Sequence, residues 1–128
     1  MNKNINTALK GFSKVCDLLD ELEVICNNSD NSTIYGKTYG YISTASTRML
    51  YIMDDLKAVK DTPVVIYKVI DDSQSLRRYL KEAVEVLHTV RGSEKYELID
   101  ILYLIIEGLK VIEKTLKPQY DERIWVAA

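Results

Sequence analysis

The chain has 128 residues, 47% of them hydrophobic, and its seventeen Lys plus Arg against nineteen Asp plus Glu leave a net charge of −2. That length normally builds one domain around one core, and that hydrophobic content excludes wholesale disorder. Both signs of charge are interleaved along the sequence, which removes the broad basic stripe of a generic nucleic-acid binder.

Apolar residues recur at alternating steps of three and four through four stretches, the spacing of one face of a helix. The first, about 4–27, carries Ile5, Leu9, Phe12, Val15, Cys16, Leu19, Leu22 and Cys26, with Lys10, Asp17, Asp20 and Glu21 between them. A polar run, Asn27 to Ser32, then reads as a turn, and a second helix over about 33–60 carries Tyr35, Tyr39, Ile42, Ala45, Met49, Ile52, Met53 and Leu56. Gly36 and Gly40 weaken its first turns. Asp61-Thr62-Pro63 is a helix start, a capping oxygen followed by proline at the first helical position. It opens a third helix over about 62–91 with Ile66, Val69, Ile70, Leu76, Leu80, Ala83, Val84, Leu87 and Val90 inward.

Within it, Val64 to Ile70 is dense in β-branched residues and reads either as helix or as strand. Helix is preferred, because no second β-rich run exists to pair with a strand and satisfy its backbone groups. The fourth helix, about 94–117, carries Leu98, Ile99, Leu102, Ile105, Ile106, Leu109, Ile112 and Leu116, and Pro118 is expected to stop it. The prediction is an all-α, antiparallel up-down-up-down four-helix bundle over residues 1–118, followed by an aromatic tail at 119–128.

The fourth helix is apolar on more than one stripe. Ile101, Leu104 and Val111 form a second ridge, with Gly108 between the last two permitting close approach. A four-helix bundle has no central helix to bury such a ridge, so these four residues are candidates for a contact surface; the competing expectation is that a connection or the tail folds over it. In the tail, Tyr120, Ile124 and the only tryptophan, Trp125, are apolar anchors expected to dock either on their own bundle or on a neighbouring subunit. Nine tyrosines against one phenylalanine suggest half-buried positions where a ring buries area and a hydroxyl meets water or a partner.

Chemical motifs are few. Cys16 and Cys26 stand ten residues apart on one predicted helix, about 15 Å along its axis, too far for a disulfide, and are expected to be reduced, buried and small hydrophobes. One histidine and no Cys-x-x-Cys leave too few ligands for structural zinc. Glu85 and His88 form a Glu-x-x-His pair of the type used by di-iron bundles, but both fall off the inward stripe of their helix. Glu94, Glu97 and Asp100, with Asp17, Asp20 and Glu23, resemble the acidic pairs of all-α nucleotide pyrophosphohydrolases, although more than seventy residues separate the two groups here. Glu94 and Glu97 also suit a helix start without any chemistry. No nucleophile elbow or phosphate-binding glycine loop occurs. The densest basic patch, Arg77, Arg78 and Lys81, is partly offset by Asp72, Glu82 and Glu85 and makes only a weak nucleic-acid candidate.

His88-Thr89-Val90-Arg91-Gly92-Ser93 resembles the His-x-Leu-Lys-Gly-Ser signature of histidine phosphotransfer domains, which are helical bundles of about this size. The resemblance implies His88 as phospho-acceptor, Arg91 as phosphate partner and Gly92 as the small residue that admits the incoming domain. It covers six residues and departs from the family where Glu94-Lys95-Tyr96-Glu97 follows and where His88 falls late in the third helix. The alternative is a histidine whose imidazolium suits a helix C-terminus and a glycine that ends that helix.

The expectation is therefore a non-enzymatic helical bundle that acts by binding another protein or copies of itself, as structural subunit, adaptor or small inhibitor. Phosphotransfer through His88 and weak nucleic-acid association are the alternatives. No cofactor, metal or small-molecule substrate is expected. No stretch reaches the roughly 18 uncharged apolar residues of a membrane span, since Asp100 and Glu107 interrupt the most apolar part. With no apolar signal core at the N-terminus, a soluble cytoplasmic protein is expected.

Overall fold

The structure is a computed structural model that describes residues 3–28, 32–58 and 63–127, with side chains at 3–28, 36, 38–58 and 65–117. It contains four α-helices, α1 (Lys3–Asn27), α2 (Ser32–Lys57), α3 (Pro63–His88) and α4 (Lys95–Ala127), and no strand among the described residues. Each helix packs on its neighbours in chain order, and α4 closes the ring on α1. The α1/α2 seam therefore lies across the bundle from the α3/α4 seam.

Neighbours run antiparallel. Gly11 meets Ile112 while Val15 meets Gly108, so α4 descends as α1 rises; Lys68 reaches Asp55 while Tyr79 stacks near Tyr41, so α3 opposes α2. The core is the expected set of stripes, with Phe12, Leu19, Leu22, Ile42, Met49, Leu56, Leu76, Leu80, Leu87 and Leu102 all fully buried. Leu9 and Cys16, expected inside, are only partly buried at its edge.

Val64 to Ile70 is helical, within α3. The β-branched residues each cost a few tenths of a kcal/mol of propensity, which is offset because Ile66 and Val69 are completely buried on the helical stripe. Pro63 is the first residue of α3, the position where a missing N–H costs nothing; Asp61 and Thr62 lie outside the described residues.

Two helix ends differ from the sequence expectation. α3 stops at His88, not near 91: Thr89 and Val90 form a tightened turn, with N–H bonds to Val86 and Leu87 carbonyls at 3.1 and 3.0 Å, and Gly92 takes φ 111°, a conformation that glycine adopts without a Cβ clash. Lys95 Nζ then donates to the free Val90 carbonyl at 2.6 Å, replacing a lost helical bond. α4 does not stop at Pro118 but continues to Ala127. A proline removes one helical donor, yet its fixed φ is itself helical, and the Gln119, Glu122 and Arg123 that follow are good helix formers.

The α2/α3 seam is closed by mixed polar contacts. Tyr41 and Tyr79 rings lie 4.8 Å apart, Arg48 sits 5.1 Å over the Tyr79 ring, and Lys68 bridges Asp55 at 2.6 Å and Asp72 at 3.2 Å. The Asp55 and Asp72 hydrogen bonds raise the Lys68 pKa, but such a solvent-screened clip contributes at most about 1 kcal/mol.

Candidate interaction surfaces

The most specific polar arrangement lies between α3 and α4, and it sits in the core. Ser73 is fully buried and Glu113 is 7% exposed. The Glu113 carboxylate accepts from Ser73 Oγ, Arg77 Nε and Arg77 Nη2, each at 2.7 Å. Three charge-assisted bonds satisfy the acid, and the Arg77 pair is bidentate, the geometry a guanidinium fork favours. Ser73 has no solvent-facing surface from which to attack a substrate, so the cluster locks the register of α3 against α4 and performs no nucleophilic chemistry. The sequence reading missed both residues, though a signal was present: Ser73 stands four after Val69 and three before Leu76, and Glu113 stands four after Leu109 and three before Leu116. Each is a polar residue at a core position, which buried-polar accounting says must have a partner.

Arg77 is thereby neutralised within the basic patch, since its Nε and Nη2 both donate to Glu113. Arg78 and Lys81 remain exposed, and the fold adds cations that are remote in sequence. Two adjoining hollows, of about 300 and 230 Å³, run along the outer α3/α4 seam. Lys110, Lys114 and Lys117 of α4 line them opposite Arg78 and Lys81, while Ile70 and Ile106 form the apolar floor. Glu107 is the other acid there, bonded by Lys110 at 3.0 Å.

The ridge expected on α4 is divided by the fold. Ile101 does not belong to it: it is 7% exposed and lies in the core on the α1 side. Gly108 faces α1 also, where an added Cβ would stand 3.8 Å from Val15 Cγ2. The closer approach between these helices is at Gly11, where a Cβ would meet Ile112 Cγ1 at 2.7 Å, a role the periodicity did not single out. Leu104 and Val111 are 60% and 62% exposed, seven residues apart and so on the same side of α4, just outside the α1 seam. The side chains of Tyr120, Ile124 and Trp125 lie outside those described, and only their helical backbone is on view.

At the opposite end, His88 is the last residue of α3 and is exposed, as are Arg91 and Gly92 in the connection to α4. His88 therefore closes α3, and Arg91 and Gly92 lie beyond its helical end. Glu85 is exposed too, so the Glu-x-x-His pair faces solvent and not the bundle interior.

Both cysteines are free. Burial, then Asp20 and Asp17, raise the Cys16 thiol pKa; burial, then Glu23, push Cys26 up to about 11. Such thiols are poor nucleophiles at neutral pH. No described helix is long and apolar enough to cross a membrane. Compared with known proteins, the chain matches no protein-family model, no curated protein and no solved structure.

Proposed function

We propose that the protein is a non-enzymatic association subunit whose outer α4 edge packs against another protein surface, in the first instance a second copy of itself. The observation that carries this reading is the pair Leu104 and Val111, 60% and 62% exposed on a helix whose opposite side already builds the core. Two large aliphatic side chains one heptad apart are the minimum repeat of a helix-helix seam. Burying each would contribute about 1–2 kcal/mol per copy. An α4 to α4 contact about a two-fold axis counts each residue twice.

The test is sedimentation equilibrium in about 0.5 M salt, where a Debye length of about 4 Å suppresses charge contacts and leaves apolar ones. At about 100 μM protein it detects association of roughly −5.5 kcal/mol or stronger. A wild-type dimer that Leu104→Asp and Val111→Asp each dissociate, with helicity unchanged, supports the reading. A dimer indifferent to both substitutions refutes this surface.

A further inference from the structure

Two carboxylates line the hollows along the outer α3/α4 seam, and both are paired: Glu113 with Arg77 and Glu107 with Lys110. Those pairs cancel, which leaves Arg78 and Lys81 on the α3 wall and Lys114 and Lys117 on the α4 wall. None of these four is ion-paired among the described residues. The acids that balance α3 in sequence, Asp71, Asp72, Glu82 and Glu85, line neither hollow. The excess of positive charge is therefore local to the groove and belongs to neither helix as a whole. A fifth residue there is not explained by charge. Tyr103 is 44% exposed in the same hollow as Arg78 and Lys81, and among the described residues its ring stacks on no other ring and lies under no cation.

We infer that this groove is a binding surface for a single-stranded polynucleotide, its phosphates following the four cations and one of its bases stacking on Tyr103. A single strand alternates two chemistries, phosphate charge and flat base faces, and a basic track with an open aromatic ring meets both. About 21 Å of helix axis separates Tyr103 from Lys117, room for at most about six nucleotides at a stacked rise of about 3.4 Å. An acidic helix is the rival occupant of a cationic groove, but it needs apolar surface on which to seat its non-polar side. Here the floor offers little, since Ile106 is 6% exposed and Ile70 is half-buried against the core. A duplex keeps its base faces stacked inside and would leave Tyr103 without a role.

The net charge of −2 is compatible with this occupant. At about 0.15 M salt the screening length is about 8 Å, shorter than the groove, so a bound strand senses chiefly the cations it touches. Affinity should then depend steeply on salt and little on sequence, because every base has a face that can stack. The groove lies on the α3 side of α4, whereas Leu104 and Val111 lie beside the α1 seam. The inference does not depend on the association reading built on that edge.

Fluorescence anisotropy of a labelled oligothymidylate of about twelve nucleotides, titrated with the full-length protein at about 50 and about 100 mM salt, tests the inference. Saturable binding is expected at the lower salt and should weaken about sevenfold at the higher, since four phosphate contacts to a single strand give a logarithmic salt slope of about −2.8. Lys114→Gln/Lys117→Gln and Arg78→Gln/Lys81→Gln each remove two contacts, so each should bind more weakly and reduce that salt effect to roughly threefold. Lys10→Gln/Lys14→Gln on α1, with the same change of net charge, should alter neither. Tyr103→Ala should weaken binding about 5-fold to 150-fold through the lost stack with the salt slope intact, and Tyr103→Phe should keep the wild-type affinity. All the substituted residues are exposed, and circular dichroism checks that every variant keeps the wild-type helicity. Absence of binding at about 100 μM protein in the lower salt overturns the inference, as does a loss in the α1 variant equal to that in the groove variants. An oligoglutamate of equal charge that displaces the labelled strand as well as unlabelled oligothymidylate does would assign the groove to an acidic protein segment instead. Affinity unchanged by Tyr103→Ala, with duplex bound as tightly as single strand, would likewise rule out the single-strand assignment.

Discussion

Replacing the half-buried Arg77 by Met should be strongly destabilising, because of what it leaves behind. Glu113 keeps a side chain only 8% exposed, whereas Arg77 is 23% exposed. Arg77→Met deletes two of the three bonds to that carboxylate and leaves a buried charge held by Ser73 alone, a defect worth about 3–5 kcal/mol. Glu113→Gln is milder, about 1–3 kcal/mol, because the amide oxygen still accepts from Ser73 and the stranded guanidinium can turn toward water. The double replacement Arg77→Met/Glu113→Met removes both charges and fills the seam with aliphatic volume, leaving only the Ser73 hydroxyl unpaired, and should cost about 1–2 kcal/mol. With Glu113→Met as the second single change, the coupling between the two sites is therefore of the sign that makes the double variant more stable than Arg77→Met alone. Urea unfolding followed at 222 nm measures each stability, and since a domain of this size holds only about 5–15 kcal/mol in all, the single change consumes a large part of it. Should Arg77→Met cost under about 1 kcal/mol, or the double variant lose the sum of Arg77→Met and Glu113→Met made singly, the seam is not held as described.

Gly11→Ala and Gly108→Ala, both in helix interiors, should change stability in opposite directions: each gains about 1 kcal/mol of helix propensity, but at Gly11 the new Cβ lies 2.7 Å from Ile112 Cγ1 and forced repacking costs about 1–3 kcal/mol. A lower midpoint for Gly11→Ala beside a higher one for Gly108→Ala is the expected pair, and equal shifts would contradict the close α1/α4 approach. Cys26 should resist alkylation in the folded state. Its pKa is raised to about 11, so at pH 8.5 only on the order of one thiol in three hundred is thiolate, against about half of an unperturbed cysteine. The sign follows from burial: the folded state favours the neutral thiol, so Cys26 favours folding below the unfolded pKa and loses that contribution as pH rises through about 11. Mass spectrometry after iodoacetamide treatment, with and without denaturant, reads the protection; rapid labelling of native Cys26 at pH 8.5 would contradict it.

Much of the architecture was written in local periodicity. The three-four spacing of Ile5, Phe12, Leu19 and Leu22, and of Leu98, Leu102, Ile105 and Leu109, needs no distant information, because an apolar stripe can be buried only on a helix of that period. Pro63 announced the start of α3 for an equally local reason. Where two local preferences compete, the sequence is less decisive: Val64 to Ile70 is β-rich but helical, since the core contacts of Ile66 and Val69 outweigh propensity, and Pro118 marks a lost donor and not an end of α4.

The surfaces were legible only in fragments. Arg77, Arg78 and Lys81 stood out as a basic patch because they adjoin in sequence, but nothing in that run reveals that Glu113, thirty-six residues later than Arg77, claims the first of them, or that Lys110, Lys114 and Lys117 stand opposite the others. Ile101 and Leu104 are both aliphatic residues on the second apolar ridge of α4, yet only the approach of α1 buries one and leaves the other exposed. Composition and periodicity thus determined four amphipathic helices, because those depend on neighbours three and four residues away. The basic groove between α3 and α4, the buried acid and the exposed edge were decided by tertiary structure alone, because each depends on which helix lies beside which, and in what register.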